Sequence, residues 1–163
     1  MPLPRPVYEV LCQHTTMTLT TVNAQGMPAA APLFYALWRD EDLLFVSEES
    51  TEHVRNLRAR PQVAVAIYKD GQAWTSLRGV QARGRAQPLP PGQEEAAWHV
   101  YSERFPFLRR EQGGGETAVL IRALARARWY IVHLDWVRLI DNARGFGWKA
   151  EWRRAAQGWE RVR

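Results

Sequence analysis

The run TMTLTT (16–21) alternates polar and apolar side chains, with Met17 and Leu19 on one face and Thr16, Thr18 and Thr20 on the other. A period of two marks a half-buried strand. NAQG follows as a turn in which Gly26 supplies positive φ, and the chain returns as a strand from Pro28 to about Trp38. LLFVSE gives a third strand after the turn RDED, and QVAVAIYK a fourth. Beyond a hairpin turn at Asp70-Gly71, AWTSLRGVQARGRAQPL gives a long fifth, in which Gly79 and Gly84 predict bulges or bends of a curling sheet. RWYIVHLDWVRLID reads as a further long strand, GFGWKAEWRR as a shorter one, and the tail AAQGWERVR as loosely held.

Helical spacing appears in three places. Val7, Val10 and Leu11 share a face between Val7 and Gln13, and Val54 and Leu57 between Ser50 and Arg60. The second helix stops before Pro61, because the residue ahead of proline disfavours the α region. Ala97, Val100, Tyr101 and Phe105 lie at helical spacing in PPGQEEAAWHVYSERFP and predict core positions. The glycine run in REQGGGETAVLIRALARA predicts a flexible loop. Antiparallel neighbours joined by tight turns predict a mainly β (α+β) fold, a β-barrel with a few short helices.

Composition narrows the function. A chain of 163 residues fits one domain with a sizeable core. No apolar run approaches the ~20 residues that span a membrane, and MPLPRPVYEV has no apolar stretch of the secretory kind. The expectation is a cytoplasmic protein. With Cys12 alone, no internal disulfide can form, and His14, His53, His99 and His133 are scattered with no paired ligand spacing, so no metal site is expected. The net charge of +5 comes from arginine, since Lys69 and Lys149 are the only lysines. No zinc-finger, RRM or helix-turn-helix pattern accompanies it, so an anionic small molecule is a better partner than nucleic acid.

The chemistry concentrates in FVSEESTEHVRNLRARP (45–61). Backbone N–H groups at a helix start are unpaired and the macrodipole is positive there, so the junction after Ser47 suits an anion. Ser50 and Thr51 can cap the helix or donate to phosphate oxygens, and Arg55 and Arg58 add charge that matches phosphate bidentately. The other reading is a capped helix with Glu52 paired to Arg55 and the arginines solvated. The residues alone leave both open.

A strand ending in Ser, then S-T-x-H-x-R-N-L-R-x-x-P, then a β-branched strand, resembles the pyridoxamine 5′-phosphate oxidase-like, FMN-binding split-barrel family. GMPAAAPLFYAL, SLRGVQARGRAQPL and LDWVRLIDNARGFGWKAEW agree in order and spacing, and RGVQ, RFPF and DNARGFG look closest to a small bacterial branch. The resemblance covers Thr15 to Trp152, which would be the core of a single domain spanning the chain. It implies a six-stranded antiparallel split β-barrel, FMN as cofactor, and a homodimer with FMN at the interface. The implied phosphate contacts are Ser50, Thr51, His53 and Arg55, with His53 where the family often has Lys. The implied ring contacts are Pro32, Leu33, Phe34 and Tyr35, with Val46, Ser47 and Glu48, and Gln81 as a further polar contact. A second copy would contribute Asn142, Phe146, Trp148 and Lys149. The oxidases proper carry a C-terminal Arg-x-His pattern that grips the substrate's phosphate, and GFGWKAEWRRAAQG lacks it. The implied activity is therefore a flavin-dependent oxidoreductase with another small-molecule substrate or electron donor. Two readings stand beside it: a non-catalytic flavin or haem binder, with His14, His53, His99 or His133 as the haem ligand, and a basic nucleic-acid or protein-binding module without cofactor.

Overall fold

The computed structural model describes residues 2–109 and 115–163. Helix α1 (Arg5–Gln13) leads into the hairpin β1 (Thr16–Val22) and β2 (Pro28–Phe34), then β3 (Ala36–Trp38) and β4 (Asp42–Ser47). Next come α2 (Glu52–Ala59), β5 (Gln62–Tyr68) and β6 (Arg78–Pro88). Helices α3 (Glu94–Arg104) and α4 (Gly115–Arg126) precede β7 (Arg128–Asp141), β8 (Lys149–Ala155) and β9 (Gly158–Arg161). No helix of the described residues is long and apolar enough to cross a membrane.

All strand pairs are antiparallel, in the order β2-β1-β5-β6-β7-β4-β3, with β8 on β7 and β9 on β8. The two ends of that order are consecutive in the chain, interrupted only at Tyr35, so the sheet is drawn round on itself into a half-barrel. Strand β7 is long enough to serve two neighbours on one edge: residues 128–132 pair with β4 and 136–140 with β8. In the junction between them sits the buried Asp42. It accepts from His133 Nδ1 at 2.7 Å, the Leu134 backbone N–H at 3.1 Å and Arg154 Nη1 at 3.0 Å, while Arg154 Nη2 donates to Glu41 at 2.8 Å.

One apolar cluster fills the barrel, where Leu19, Val65, Ile67, Val137 and Leu139 meet Val7, Val10 and Leu11 of α1. A second lies between the sheet and α3, where Ala97, Tyr101 and Phe105 pack on Trp38, Leu44 and Ile131. The core positions expected on α3 are thus largely borne out; Val100 is only partly buried at the cluster's edge.

Several expectations change in detail. The antiparallel split barrel is as expected; among the described residues its sheet counts seven strands in the order above, with the β8–β9 hairpin added beside β7. The return strand breaks at Tyr35, where the chain leaves β1 and joins β4, and the tail is an ordered hairpin, β8–β9, rather than loosely held. Strand β6 begins at Arg78, since Trp74–Ser76 form a short 3₁₀ turn in a longer connection. The register shifts at Arg83/Gly84 as expected of a bulge. A Cβ on Gly84 would lie 2.0 Å from the His133 carbonyl oxygen, which explains the residue. Gly79 is not a bulge. It pairs regularly with Tyr68 and Ile140, and a Cβ there would meet Tyr68 Cβ at 2.9 Å. Part of the glycine run lies outside the described residues, and from Gly115 onward the chain is helical rather than a loop.

Candidate functional site

The end of β4 and the start of α2 bring three polar atoms together. Ser47 Oγ lies 2.7 Å from His53 Nε2 and 3.2 Å from Thr51 Oγ1, and Thr51 Oγ1 is 3.2 Å from His53 Nε2. Ser47 is buried as the last residue of β4, and Thr51 and His53 flank the first turn of α2. Thr51 is the N-cap, yet its hydroxyl donates back to the Glu48 carbonyl at 2.8 Å instead of capping the helix. The first N–H groups of α2 therefore keep no side-chain partner. Ser50, the other cap candidate, reaches only the Glu48 carboxylate, at 3.5 Å.

The charges divide cleanly. Arg58 pairs with Glu49 at 3.1 Å, and Arg128 shares that carboxylate at 3.2 Å. Arg55 has no carboxylate partner among the described residues; its guanidinium donates to the Ser50 carbonyl, which folds it over the helix start. Glu52 does not pair with it. Burial holds the His53 pKa below the ordinary imidazole value, with Glu52 pulling weakly the other way. The contact of Ser47 with His53 has the nucleophile–base spacing, but no carboxylate among the described residues bonds the ring. The cluster thus lacks the third member of a hydrolytic triad and is better built to donate to an anion.

Beside this cluster the barrel is split. Strand β2 pairs with β1 on one edge and has no strand partner on the other among the described residues. Strand β4 pairs with β3 only as far as Leu44, so residues 45–47 are free on the same side. Between these edges a cavity of about 210 Å³ opens, walled on the sheet side by Pro32, Leu33, Phe34 and Val46. Tyr101 and Phe105 of α3, the Phe107 and Leu108 turn and Leu124 of α4 close the other side. Tyr35 does not take part as a side chain. It is fully buried, and its hydroxyl donates to the Leu11 carbonyl at 2.8 Å, so it belongs to the barrel core.

The remaining predicted residues lie elsewhere. Gln81 is on the outer sheet face in one row with Ala66, Thr18 and Pro32, three strand spacings (roughly 14 Å) from Pro32, and it accepts from Arg138 at 3.1 Å. Asn142 is a clamp: its Nδ2 donates to the Trp74 carbonyl at 2.6 Å and its Oδ1 accepts from Gly147 N–H at 3.0 Å. Trp148 packs on the barrel with Arg144 over its ring, and Lys149 pairs with Ile140. Phe146 is 83% exposed, edge-on to Trp74. Ser47 pairs with Arg128 at one end of β7, and Asn142 follows its other end. The two ends of β7 lie thirteen residue steps apart, so Ser47 and Asn142 sit at opposite ends of a long, curling strand.

A family model for pyridoxamine 5′-phosphate oxidase matches residues 4–130. The chain belongs to the pyridoxamine 5′-phosphate oxidase family. Within that family it is similar to UPF0306 proteins. YhbP of Escherichia coli (strain SMS-3-5 / SECEC) is 32% identical over 136 residues, 82% of each chain. Among solved structures, Atu2129 from Agrobacterium tumefaciens, of unknown function, matches with a TM-score of 0.69 at 23% identity over 85% of this chain, which spans 56% of that one. A heme binding protein from Mycobacterium smegmatis matches with a TM-score of 0.67 at 18% identity, covering 93% of this chain and 59% of that one. Identities this low carry the split-barrel fold and nothing finer.

Sequence reasoning missed two groupings. The α3 side of the cavity was legible as helical spacing at Tyr101 and Phe105, but that spacing equally describes plain core. The Asp42–His133–Arg154 cluster joins residues 91 and 112 positions apart and leaves no local signal.

Proposed function

We propose that the chain is an FMN-binding flavoprotein and a flavin-dependent oxidoreductase that works as a homodimer. One observation carries the reading. A convergent hydroxyl–imidazole cluster and a cation without a carboxylate partner stand at a helix start, beside two strand edges with free backbone groups. Phosphate suits the first part, since Ser47, His53 and the α2 N–H groups can donate to oxygens and Arg55 supplies fixed charge, with Thr51 joining them once its hydroxyl turns from the Glu48 carbonyl. Ser50 stands next to them. The polar edge of a flavin ring suits the second, because β2 from Pro32 to Phe34 and β4 through Val46, Ser47 and Glu48 offer N–H and C=O groups. When bound, FMN supplies hydride-transfer chemistry, and the protein supplies orientation and electrostatics.

The dimer is supported by the layout of β7, whose opposite ends carry Ser47's partner and Asn142. In a dimer the 142–149 segment of a second copy would bring Phe146, Trp148 and Lys149 toward the ring, and Asn142 would hold that segment in shape. The small residues Thr18, Ala66 and Thr20 on the outer face, with Gln81 among them, leave room for another sheet to approach.

The test is a visible absorption spectrum of the purified protein with and without added FMN, alongside size-exclusion chromatography. A flavin band that shifts on binding and co-elutes with a dimer is expected. Arg55→Ala should weaken FMN by about tenfold to a hundredfold, the effect of removing a charge-assisted contact of about 1.5–3 kcal/mol, and leave riboflavin nearly untouched. A colourless protein that leaves the FMN spectrum unchanged would overturn the reading. A Soret band in the preparation would transfer it to haem.

A further inference from the structure

The cavity between the split and α3 has chemistry of its own. Among the described residues its walls carry no lysine, arginine, histidine or carboxylate, and Tyr101 supplies the only side-chain polar atom there. Tyr101 is 5% exposed and its hydroxyl has no hydrogen-bond partner among the described residues. Burial pushes that phenol well above its ordinary pKa, so it stays protonated. The ring is fixed by neighbours: Phe105 lies 4.6 Å away and Trp129 5.2 Å, and Phe34 meets Phe105 edge-on at 5.4 Å. Such walls favour edge-to-face and offset contacts with another ring.

We infer that this cavity binds a small, uncharged aromatic molecule of one or two fused rings with a single hydrogen-bonding oxygen, held by Tyr101. The assignment rests on the flavin reading for its role, since the sheet wall at Pro32, Phe34 and Val46 is also the ledge proposed for the flavin ring. It makes this molecule the reaction partner. The size follows from the volume: a dry cavity of about 150 Å³ takes benzene, so about 210 Å³ suits a slightly larger ring system. The neutrality follows from desolvation, because a carboxylate or phosphate would enter with no side-chain cation in the described lining to receive it. A phosphorylated pyridine is thereby disfavoured.

The experiment is calorimetric titration of the full-length protein with 2-naphthol and with 2-naphthoate, each in the absence and presence of saturating FMN. 2-Naphthol should bind at least about tenfold more tightly than 2-naphthoate, and saturating FMN should not displace it. Tyr101→Phe should weaken 2-naphthol about three- to tenfold and leave naphthalene unaffected. Leu124→Trp, which fills the cavity from its half-buried rim, should abolish binding while circular dichroism reports a native fold. Equal affinity for the two probes would overturn the inference, as would unaltered binding in both variants. Competition between 2-naphthol and FMN would assign the cavity to the flavin ring instead. Selective 2-naphthol binding by a protein that fails to bind FMN would uphold the cavity and sink the flavin reading, so the two fail separately.

Discussion

Strand β4 starts at Asp42 and ends at Ser47, and each of these residues holds a histidine. At the start, a buried carboxylate gathers His133, the Leu134 N–H and Arg154, and Arg154 is itself completed by Glu41. At the end, hydroxyls surround His53, no carboxylate touches it, and Arg55 leans over the cluster with no carboxylate of its own. The first cluster is closed. Its donors and acceptors satisfy one another, and it sits where β7 passes from β4 to β8, a junction whose free backbone groups need partners. The second is open, with donor capacity left over and a positive helix end beneath. Two histidines one strand apart thus differ in what they are for: the closed set holds the fold, and the open set waits for an anion.

The largest effect that would test this contrast is on stability. Asp42→Ala would leave the Leu134 N–H and the Arg154 guanidinium without their acceptor at a buried position, while the 41% exposed His133 side chain can turn to water. It should destabilise the fold by about 3 kcal/mol, read as a lower urea midpoint, with the β8–β9 hairpin opening first in hydrogen exchange. Ser47→Ala removes a hydroxyl whose neighbours can bond each other, so its stability cost should stay under about 1 kcal/mol. If the two variants lose equal stability, the distinction between closed and open sets fails.

On binding the order should reverse. Ser47→Ala should weaken FMN about three- to tenfold, the net effect of one lost hydrogen bond, measured by fluorescence titration, with riboflavin little changed. Arg154→Met, which strips one partner from the closed set, should leave FMN affinity within about twofold of wild type while lowering the urea midpoint. A parallel loss of FMN affinity in Arg154→Met would mean that the two ends of β4 are coupled through the strand.

Only one of these clusters could be read from the sequence, and the reason is distance along the chain. Ser47, Ser50, Thr51, His53 and Arg55 fall within nine residues, so strand end, helix start and charge are visible together. The closed set assembles from residues 41, 42, 133 and 154, which only the register of β4, β7 and β8 brings together. Tyr35 shows a subtler limit. PLFYALW keeps an unbroken apolar run, and nothing in it marks the point where the chain exchanges β1 for β4; the ring turns inward because Leu11 offers a buried carbonyl. The tail failed for a related reason: its charges read as solvated, whereas pairing between Ala155 and Gly158 makes a tight hairpin. Strand periodicity itself carried well, because a half-buried sheet imposes it residue by residue.

The smallest effect is on pH dependence, and it bears on the one place where this chain departs from the lysine often found in the family. Burial holds the His53 pKa below its unfolded value. The unfolded chain therefore binds more protons at this residue than the native one. Its contribution to stability is full above about pH 6.5 and falls as pH drops toward the folded pKa. A phosphate dianion beside Nε2 reverses the balance by favouring the imidazolium, so FMN binding takes up a proton. FMN affinity should rise as pH falls from 8 to about 6.5, by no more than about fourfold if the bound-state pKa lies about one unit above the free one; below about pH 6 the phosphate monoester is itself protonated and the gain ends. Riboflavin, without phosphate, should show no such slope. His53→Gln should flatten the FMN profile, and His53→Lys should flatten it at higher affinity, since an ammonium keeps its charge across this range. His14, whose pKa burial also lowers, contributes to the stability profile but lies away from the cluster, so the affinity measurement isolates His53. An FMN profile that keeps its slope in His53→Gln would remove the imidazole from the phosphate site and leave Arg55 and the α2 N–H groups to hold it.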